Sequence, residues 1–320
     1  MMTLKRAMLI FALVFSPAAL AQNFPTKPVK IVVPYAPGGF TDIVSRLVGQ
    51  KMTERLGQTF VVDNKPGGST IVGAEIVARS PADGYTLLMG VTTTLSTNPF
   101  LFKKLPYKLA DFSPVALTGL TPFVLVAHPS LPASNVKELL DLARAKPGTV
   151  SAATLGVGSS VHLVVAMLRG AAGVNIIDVP YKGAGPALND LLAGQVNLYF
   201  DAVPTSLPHI RAGKLKALGI TSDNRVQVAQ NIPTFSESGV PGMVAYSWYG
   251  LLAPAGTPKG VIDRLNAAAN DGLKSADVRE RLIADGGVAP LMSPEQFGDL
   301  IRSHTDVWSK IITPLKIELD

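Results

Sequence analysis

The chain has no cysteine. That absence excludes disulfides, thiolate metal sites and cysteine nucleophiles, and also a lipid anchor carried on a cysteine. Histidine is scarce: His128, His162, His209 and His304 are the full set. None of them is spaced with another histidine or a carboxylate as metal ligands are, and H-E-x-x-H does not occur. The motifs G-x-G-x-x-G, G-x-x-x-x-G-K-[ST] and G-x-S-x-G are all missing, which argues against a dinucleotide fold, a P-loop and a nucleophile elbow. Charged residues make up only 16% of the chain, and no Lys/Arg run is interleaved with aromatics, so nucleic acid is not an expected partner. No cofactor and no metal is expected.

The N-terminus reads as a cleavable export signal over residues 1–21. Lys5 and Arg6 precede an apolar run from Ala7 to Phe15, Ser16-Pro17 breaks it, and Ala19-Leu20-Ala21 has the small-x-small form of a cleavage site. Cleavage after Ala21 is expected, and removal of Lys5 and Arg6 takes the net charge from +6 to +4. No later stretch is long and apolar enough to cross a bilayer as a helix. The expectation is an exported protein whose remaining residues, about three hundred, form two domains.

The stretch from Val29 to Leu56 organises the rest. Val29, Ile31, Val32 and Val33 form a short β-branched run, as expected of a strand buried on both faces. Ala36-Pro37-Gly38-Gly39 breaks it. A helix follows, with Ile43, Val44, Leu47, Val48, Met52 and Leu56 on its inner stripe and Gly57 as its stop. Thr41 is the expected N-cap. Such a junction aims free backbone N–H groups and a positive helix end at one spot, which suits a carboxylate or phosphate, although an ordinary tight turn has the same signature. Asp42 would repel a bound anion, so it is expected to fix the loop by accepting from backbone N–H groups.

Strands and helices alternate through the remainder, the pattern of a parallel sheet. Thr59–Asn64 and Tyr85–Gly90 are strands, and Ser69 is the expected cap of a helix running to Arg79. Val91-Thr92-Thr93-Thr94 brings hydroxyls to the carboxyl end of its strand, where ligands bind in such sheets, or caps a helix from Leu95. Pro114–His128 reads as a long or broken strand, and Ser134 as the cap of the helix over Val136–Lys146. The second half repeats the design, with Gly156–Ser160 and Tyr181–Pro186 as further Gly-rich strand-to-helix junctions. Two such domains face to face would set two positive helix ends across a cleft. Tyr181 and Lys182 would add a ring wall and a charge. Thr257 reads as a helix cap with Pro258 at N1, and Ser293-Pro294-Glu295-Gln296 as a capping box. The fold expected is α/β. Residues 22–123 plus 247–320 form one domain and residues 124–246 the other, with the hinge at the crossovers near Thr121–Val126 and Ala245–Gly250.

The motifs carry a resemblance as well. Pro34-Tyr35-Ala36-Pro37-Gly38-Gly39-Phe40-Thr41-Asp42 with Arg46, Asp63-Asn64-Lys65-Pro66-Gly67, Ser80-Pro81-Ala82-Asp83-Gly84-Tyr85, Pro180-Tyr181-Lys182-Gly183, Ile232-Pro233-Thr234-Phe235 and Ala253-Pro254-Ala255-Gly256-Thr257-Pro258 occur in order. As a set they resemble the Bug/tripartite tricarboxylate transporter family of periplasmic substrate-binding proteins, from Phe24 to about Trp308. The resemblance implies a two-domain type II binding-protein (Venus flytrap) fold, each domain a doubly wound, mostly parallel sheet. It implies no enzymatic activity. Its expected partners are a small organic carboxylate held between the domains, and membrane transporter subunits or a sensor; a monomer is expected. The pincer loops fall on Ala36–Asp42 (Pro37, Gly38, Gly39, Phe40, Thr41, Asp42) and Tyr181–Ala184 (Tyr181, Lys182, Gly183, Ala184). By the same likeness Thr92, Thr93, Gly158, Ser159, His162 and Asp201 line the cleft. The rival reading is an exported serine hydrolase with Ser159 as nucleophile and His162 as base.

Overall fold

The computed structural model describes residues 24–284 and 288–319, without the side chains of residues 281–284. The expected export signal lies outside them. Nine strands form one continuous ladder: β1 (Val29–Val33), β2 (Phe60–Asn64), β3 (Thr86–Val91), β4 (Phe112–Ala127), β5 (Val150–Thr154), β6 (Ile176–Pro180), β7 (Leu198–Ala202), β8 (Lys216–Ile220) and β9 (Tyr246–Pro254). Their order is β2-β1-β3-β9-β4-β7-β5-β6, with β8 also on β4. Pairs β1–β2, β1–β3, β5–β6 and β5–β7 are parallel, whereas β4 and β9 pair antiparallel with their neighbours.

Strand β4 is the spine. From Phe112 to Pro122 it pairs with β9, and from Phe123 to Ala127 with β7 and β8. The expected long strand is therefore unbroken, and it changes sheets at Pro122–Phe123. Pro122 lacks the N–H a ladder needs, which suits a place where one pairing ends and another begins.

Helices cover the sheets: α1 (Phe40–Leu56), α2 (Ile71–Ala78), α3 (Val136–Ala145), α4 (Ser160–Ala172), α5 (Ala184–Leu192), α6 (Val203–Arg211), α7 (Lys259–Lys274), α8 (Ala276–Ala284) and α9 (Pro294–Ile312). The inner stripe of α1 holds as expected for Val44, Val48 and Met52, which are fully buried with Val29 and Ile31 of β1. Each such side chain contributes about 1.5–3 kcal/mol on removal from water. The C-terminal helix straddles the molecule. Its Phe297 and Ile301 pack in a first-domain cluster, while Trp308 and Ile312 pack with the second-domain core. Its N-terminus closes with the expected capping box between Ser293 and Gln296.

Several expected caps fall elsewhere. Gly39, not Thr41, occupies the N-cap of α1, with no side-chain cap; the helix begins two residues early, leaving its first N–H groups uncovered. Asn135, not Ser134, caps α3 by accepting from Glu138 N, while Ser134 N donates to Glu138 Oε2 at 2.7 Å. Ser69 caps nothing: α2 begins at Ile71, and the Ser69 hydroxyl donates across the cleft to Val157 O at 2.6 Å. Helix α7 starts at Lys259, so Pro258 precedes it, and the Thr257 hydroxyl turns back to Pro254 O.

Candidate functional site

The carboxyl ends of the parallel strands meet between the domains. Tyr35 and Ala36 follow β1, Val91 ends β3, Leu155 follows β5, and Phe200, Asp201 and Ala202 end β7. These residues, with Gly39, Phe40, Thr41, Thr93, Phe123, Ser160, Val161, Ala184, Tyr199, Ser247 and Tyr249, line one cavity of about 30 Å³. Four helices present their N-terminal residues there: α1 through Gly39–Thr41, α4 through Ser160 and Val161, α5 through Ala184 and α6 through Ala202. The first turn of a helix has N–H groups without intrahelical acceptors, and the macrodipole adds partial positive charge. The described lining contains no Lys, Arg or His. Any positive partial charge this lining offers is therefore that of main-chain N–H groups.

The two pincer loops touch. Ala36 N donates to Lys182 O at 3.1 Å. A Cβ placed on Gly39 would lie 2.6 Å from Ala184 Cβ, one on Gly183 would lie 2.8 Å from Ala36 N, and one on Gly185 would run into Pro37 O. Gly38 is required for a second reason, its φ of +94°. Deeper in, Thr93 ties the domains together. Its Oγ1 accepts from Tyr35 Oη–H at 3.1 Å and from Ser160 N at 3.2 Å, and Ser160 Oγ lies 3.4 Å away. Burial pushes the Tyr35 phenol up to about 12, with Thr93 opposing, so it is a neutral donor at any physiological pH.

Asp42 does what its place beside the loop demands. Its Oδ2 accepts from Gly38 N at 3.1 Å and from Arg46 Nε at 3.1 Å, and its Oδ1 accepts from Asn64 Nδ2 at 3.0 Å. Asn64 donates as well to Tyr35 O. Burial raises the Asp42 carboxyl, but Arg46, Asn64 and Gly38 together hold it below the ordinary carboxylate range. It is spent on the loop and is turned away from the cavity lining.

Of the residues named from sequence, Gly39, Phe40, Thr41, Thr93, Ala184 and Asp201 line the cavity. Pro37, Gly38 and Gly183 form the touching backs of the two loops. The others stand off it. Thr92 Oγ1 accepts from Trp248 N at 3.0 Å. Tyr181 and Lys182 line a separate, more open cleft with Gly67–Thr70 and Gly156, and Tyr181 Oη donates to Asp190 at 2.8 Å. Ser159 caps α4, its Oγ accepting from His162 N at 3.2 Å. The His162 ring serves the loop behind the cavity. Its Nδ1 accepts from Gly158 N at 3.2 Å and its Nε2 lies 3.7 Å from Asp178 Oδ2. Burial, against the pull of Asp178 and with Arg169 assisting, holds the imidazole below its ordinary value and so neutral. A base for Ser159 would need a ring nitrogen on its hydroxyl; this ring is engaged elsewhere.

Sequence reasoning missed Tyr35, Ser160, Tyr199, Ser247 and Tyr249 as lining residues. The rule that ligands sit beyond strand carboxyl ends points to Tyr35. Ser247 and Tyr249 lie in the stretch read as hinge, which is also the floor of the cleft.

The family profile described as "Tripartite tricarboxylate transporter family receptor" matches residues 44–317. The chain belongs to this family. Among solved structures, this receptor is similar to the periplasmic binding protein BugD, with 36% identity and a TM-score of 0.88 over 92% of this chain and 99% of that one. It is equally similar to Rpa4515 of R. palustris with adipate, at 34% identity, a TM-score of 0.88, and 92% and 99% coverage. MatC from Rhodopseudomonas palustris with bound malate matches at 34% identity and a TM-score of 0.87, over 90% of this chain and all of that one. The receptor is thus a periplasmic solute-binding protein of the Venus flytrap type, in a family of receptors rather than enzymes. The hydrolase reading of Ser159 and His162 is overturned by this membership and by the ring's own contacts. No described helix is long and apolar enough to cross a membrane.

Proposed function

We propose that this receptor captures a small organic carboxylate in the cavity between its domains and presents it to membrane transporter subunits or to a sensor. The observation that carries the reading is the convergence of four helix N-termini on one buried cavity whose described lining has no cationic side chain. Gly39, Phe40, Thr41, Thr93 and Ala184 hold the carboxylate through backbone N–H and hydroxyl groups, directly and through bridging water. Adipate and malate, named with the two similar structures, are acids of this class.

Residues 22–123 with 247–320, and residues 124–246, move as two bodies about β4 and β9. Ligand contacts to both shift the population toward the closed form. The protein acts as a monomer in the periplasm after cleavage behind Ala21.

Native mass spectrometry of the mature protein, followed by identification of any released molecule, tests the reading. A bound carboxylate supports it. If the protein is empty, a thermal-shift screen of carboxylates decides: ligands of the native state raise the melting temperature, and no response to any acid would sink the proposal.

A further inference from the structure

Asp201 is an anomaly in an anion site. It ends β7, is 2% exposed, and lines the same cavity as the helix N-termini. Its Oδ2 accepts from Thr205 Oγ1 at 2.6 Å and from Ser206 Oγ at 2.7 Å, both from the first turns of α6. A carboxylate offers about four acceptor positions over its two oxygens; these two hydroxyls fall on one oxygen, and the Ala202 N–H and the Tyr199 phenol also reach the group. No Lys, Arg or His in the described lining stands ready as a counter-charge. Its neighbours on the cavity wall are Tyr199 and Tyr249, whose phenols burial holds above their ordinary value. A buried acid without a cation is costly unless donors reach it.

A plain acid presents its alkyl body or a second carboxylate to this wall. The first brings no donor to a buried carboxylate that has no cation beside it; the second sets like charges against each other in a poorly solvated space. An ammonium or hydroxyl group on the ligand resolves both. We infer that Asp201 determines specificity by selecting organic acids that carry, besides the carboxylate, a hydrogen-bond donor (an ammonium or a hydroxyl group). The inference rests on the carboxylate-receptor reading above and adds the class of ligand.

Titration calorimetry with matched acids tests it: propionate, lactate and alanine; succinate, malate and aspartate; glutarate, hydroxyglutarate and glutamate; benzoate, para-hydroxybenzoate and para-aminobenzoate. In the series that binds, the donor-bearing member should bind about tenfold or more tightly than the plain acid, the range for a hydrogen bond to a charged group. Comparison of the amino with the hydroxy acid shows which donor is taken. In Asp201→Asn the preference should shrink to about threefold or less, with melting confirming the fold. Asp201→Ser, smaller and still able to accept from Thr205 and Ser206, is the second variant should the first not fold. Plain acids binding as tightly as their substituted partners, or a preference that survives in the variant, overturns the inference and leaves the receptor reading standing. Binding by no acid of any series removes the receptor reading, and this inference with it.

Discussion

Gly39 and Ala184, from opposite domains, are packed so closely that a single added carbon on Gly39 would sit 2.6 Å from the Ala184 methyl. The contact is one of exclusion. Gly39 has an ordinary φ of −89°, so a side chain there strains nothing in the isolated first domain and obstructs only the meeting of the loops. Gly39→Asp should abolish ligand binding, with an affinity loss of about a hundredfold or more, and keep its far-ultraviolet circular dichroism and a melting temperature within about 5 °C of the parent. Retained micromolar affinity in calorimetry would remove the pincer assignment.

Thr93 accepts from Tyr35 within its own domain and from Ser160 N across the boundary. Thr93→Val keeps the shape and removes the acceptor, leaving two buried donors without it. Each such group costs about 1–3 kcal/mol. On the proposed closure the Ser160 contact forms as the two bodies meet, so affinity should drop about tenfold and small-angle scattering with ligand should show a more open particle. Unchanged affinity would mean that the bridge does not contribute to closure.

Burial, opposed by the Thr205 and Ser206 hydroxyls, pushes the Asp201 carboxyl up to about 6 from 3.8. An acid whose folded value is raised binds its proton more tightly in the folded state, so its contribution is fully present below about pH 4. It is lost as pH rises through about 6, after which the curve levels. The span corresponds to about 3 kcal/mol. Urea midpoints measured from pH 4 to 7 should fall more steeply for the parent than for Asp201→Asn. Asp42, shifted the other way, is common to both proteins and cancels from the difference. Parallel curves would show that Asp201 is not raised.

Because no described lining residue is a lysine, arginine or histidine, the proposed carboxylate would be held by buried N–H groups, whose attraction salt screens weakly. The dissociation constant should change by less than about threefold between low salt and about 0.5 M sodium chloride. A tenfold loss would instead implicate Lys182, which lines the open cleft beside the cavity.

The Gly-rich junctions were legible in the sequence because they break two periodicities at once: the β-branched run of Val29–Val33 stops at Pro34–Gly39, and a helical stripe begins beyond. The pairing of the first and second halves was legible for the same reason. Side-chain direction was not. Thr92 and Thr93 are adjacent and chemically identical, yet Thr92 is committed to Trp248 N while Thr93 faces the cavity. That outcome follows from a π-helical turn over Thr93–Thr97, which no spacing announces. Ser159 and Ser160 divide in the same way, one as a cap and one on the cavity wall. Ser247 and Tyr249 were hidden because a strand buried on both faces reads as uniform apolar core, without saying which of its faces looks into a cleft.

The positive ends that face the cavity are peptide groups, and every amino acid but proline supplies the same N–H. Most single-residue changes along these helix starts therefore leave that part of the site as it was. The exceptions are the glycines at the loop contact, where any side chain is an obstruction. The wall formed by Asp201, Tyr199, Ser247 and Tyr249 is under no such constraint. On the proposed reading, a change of ligand would fall on a few wall residues, while the backbone N–H groups that face the cavity stay as they are.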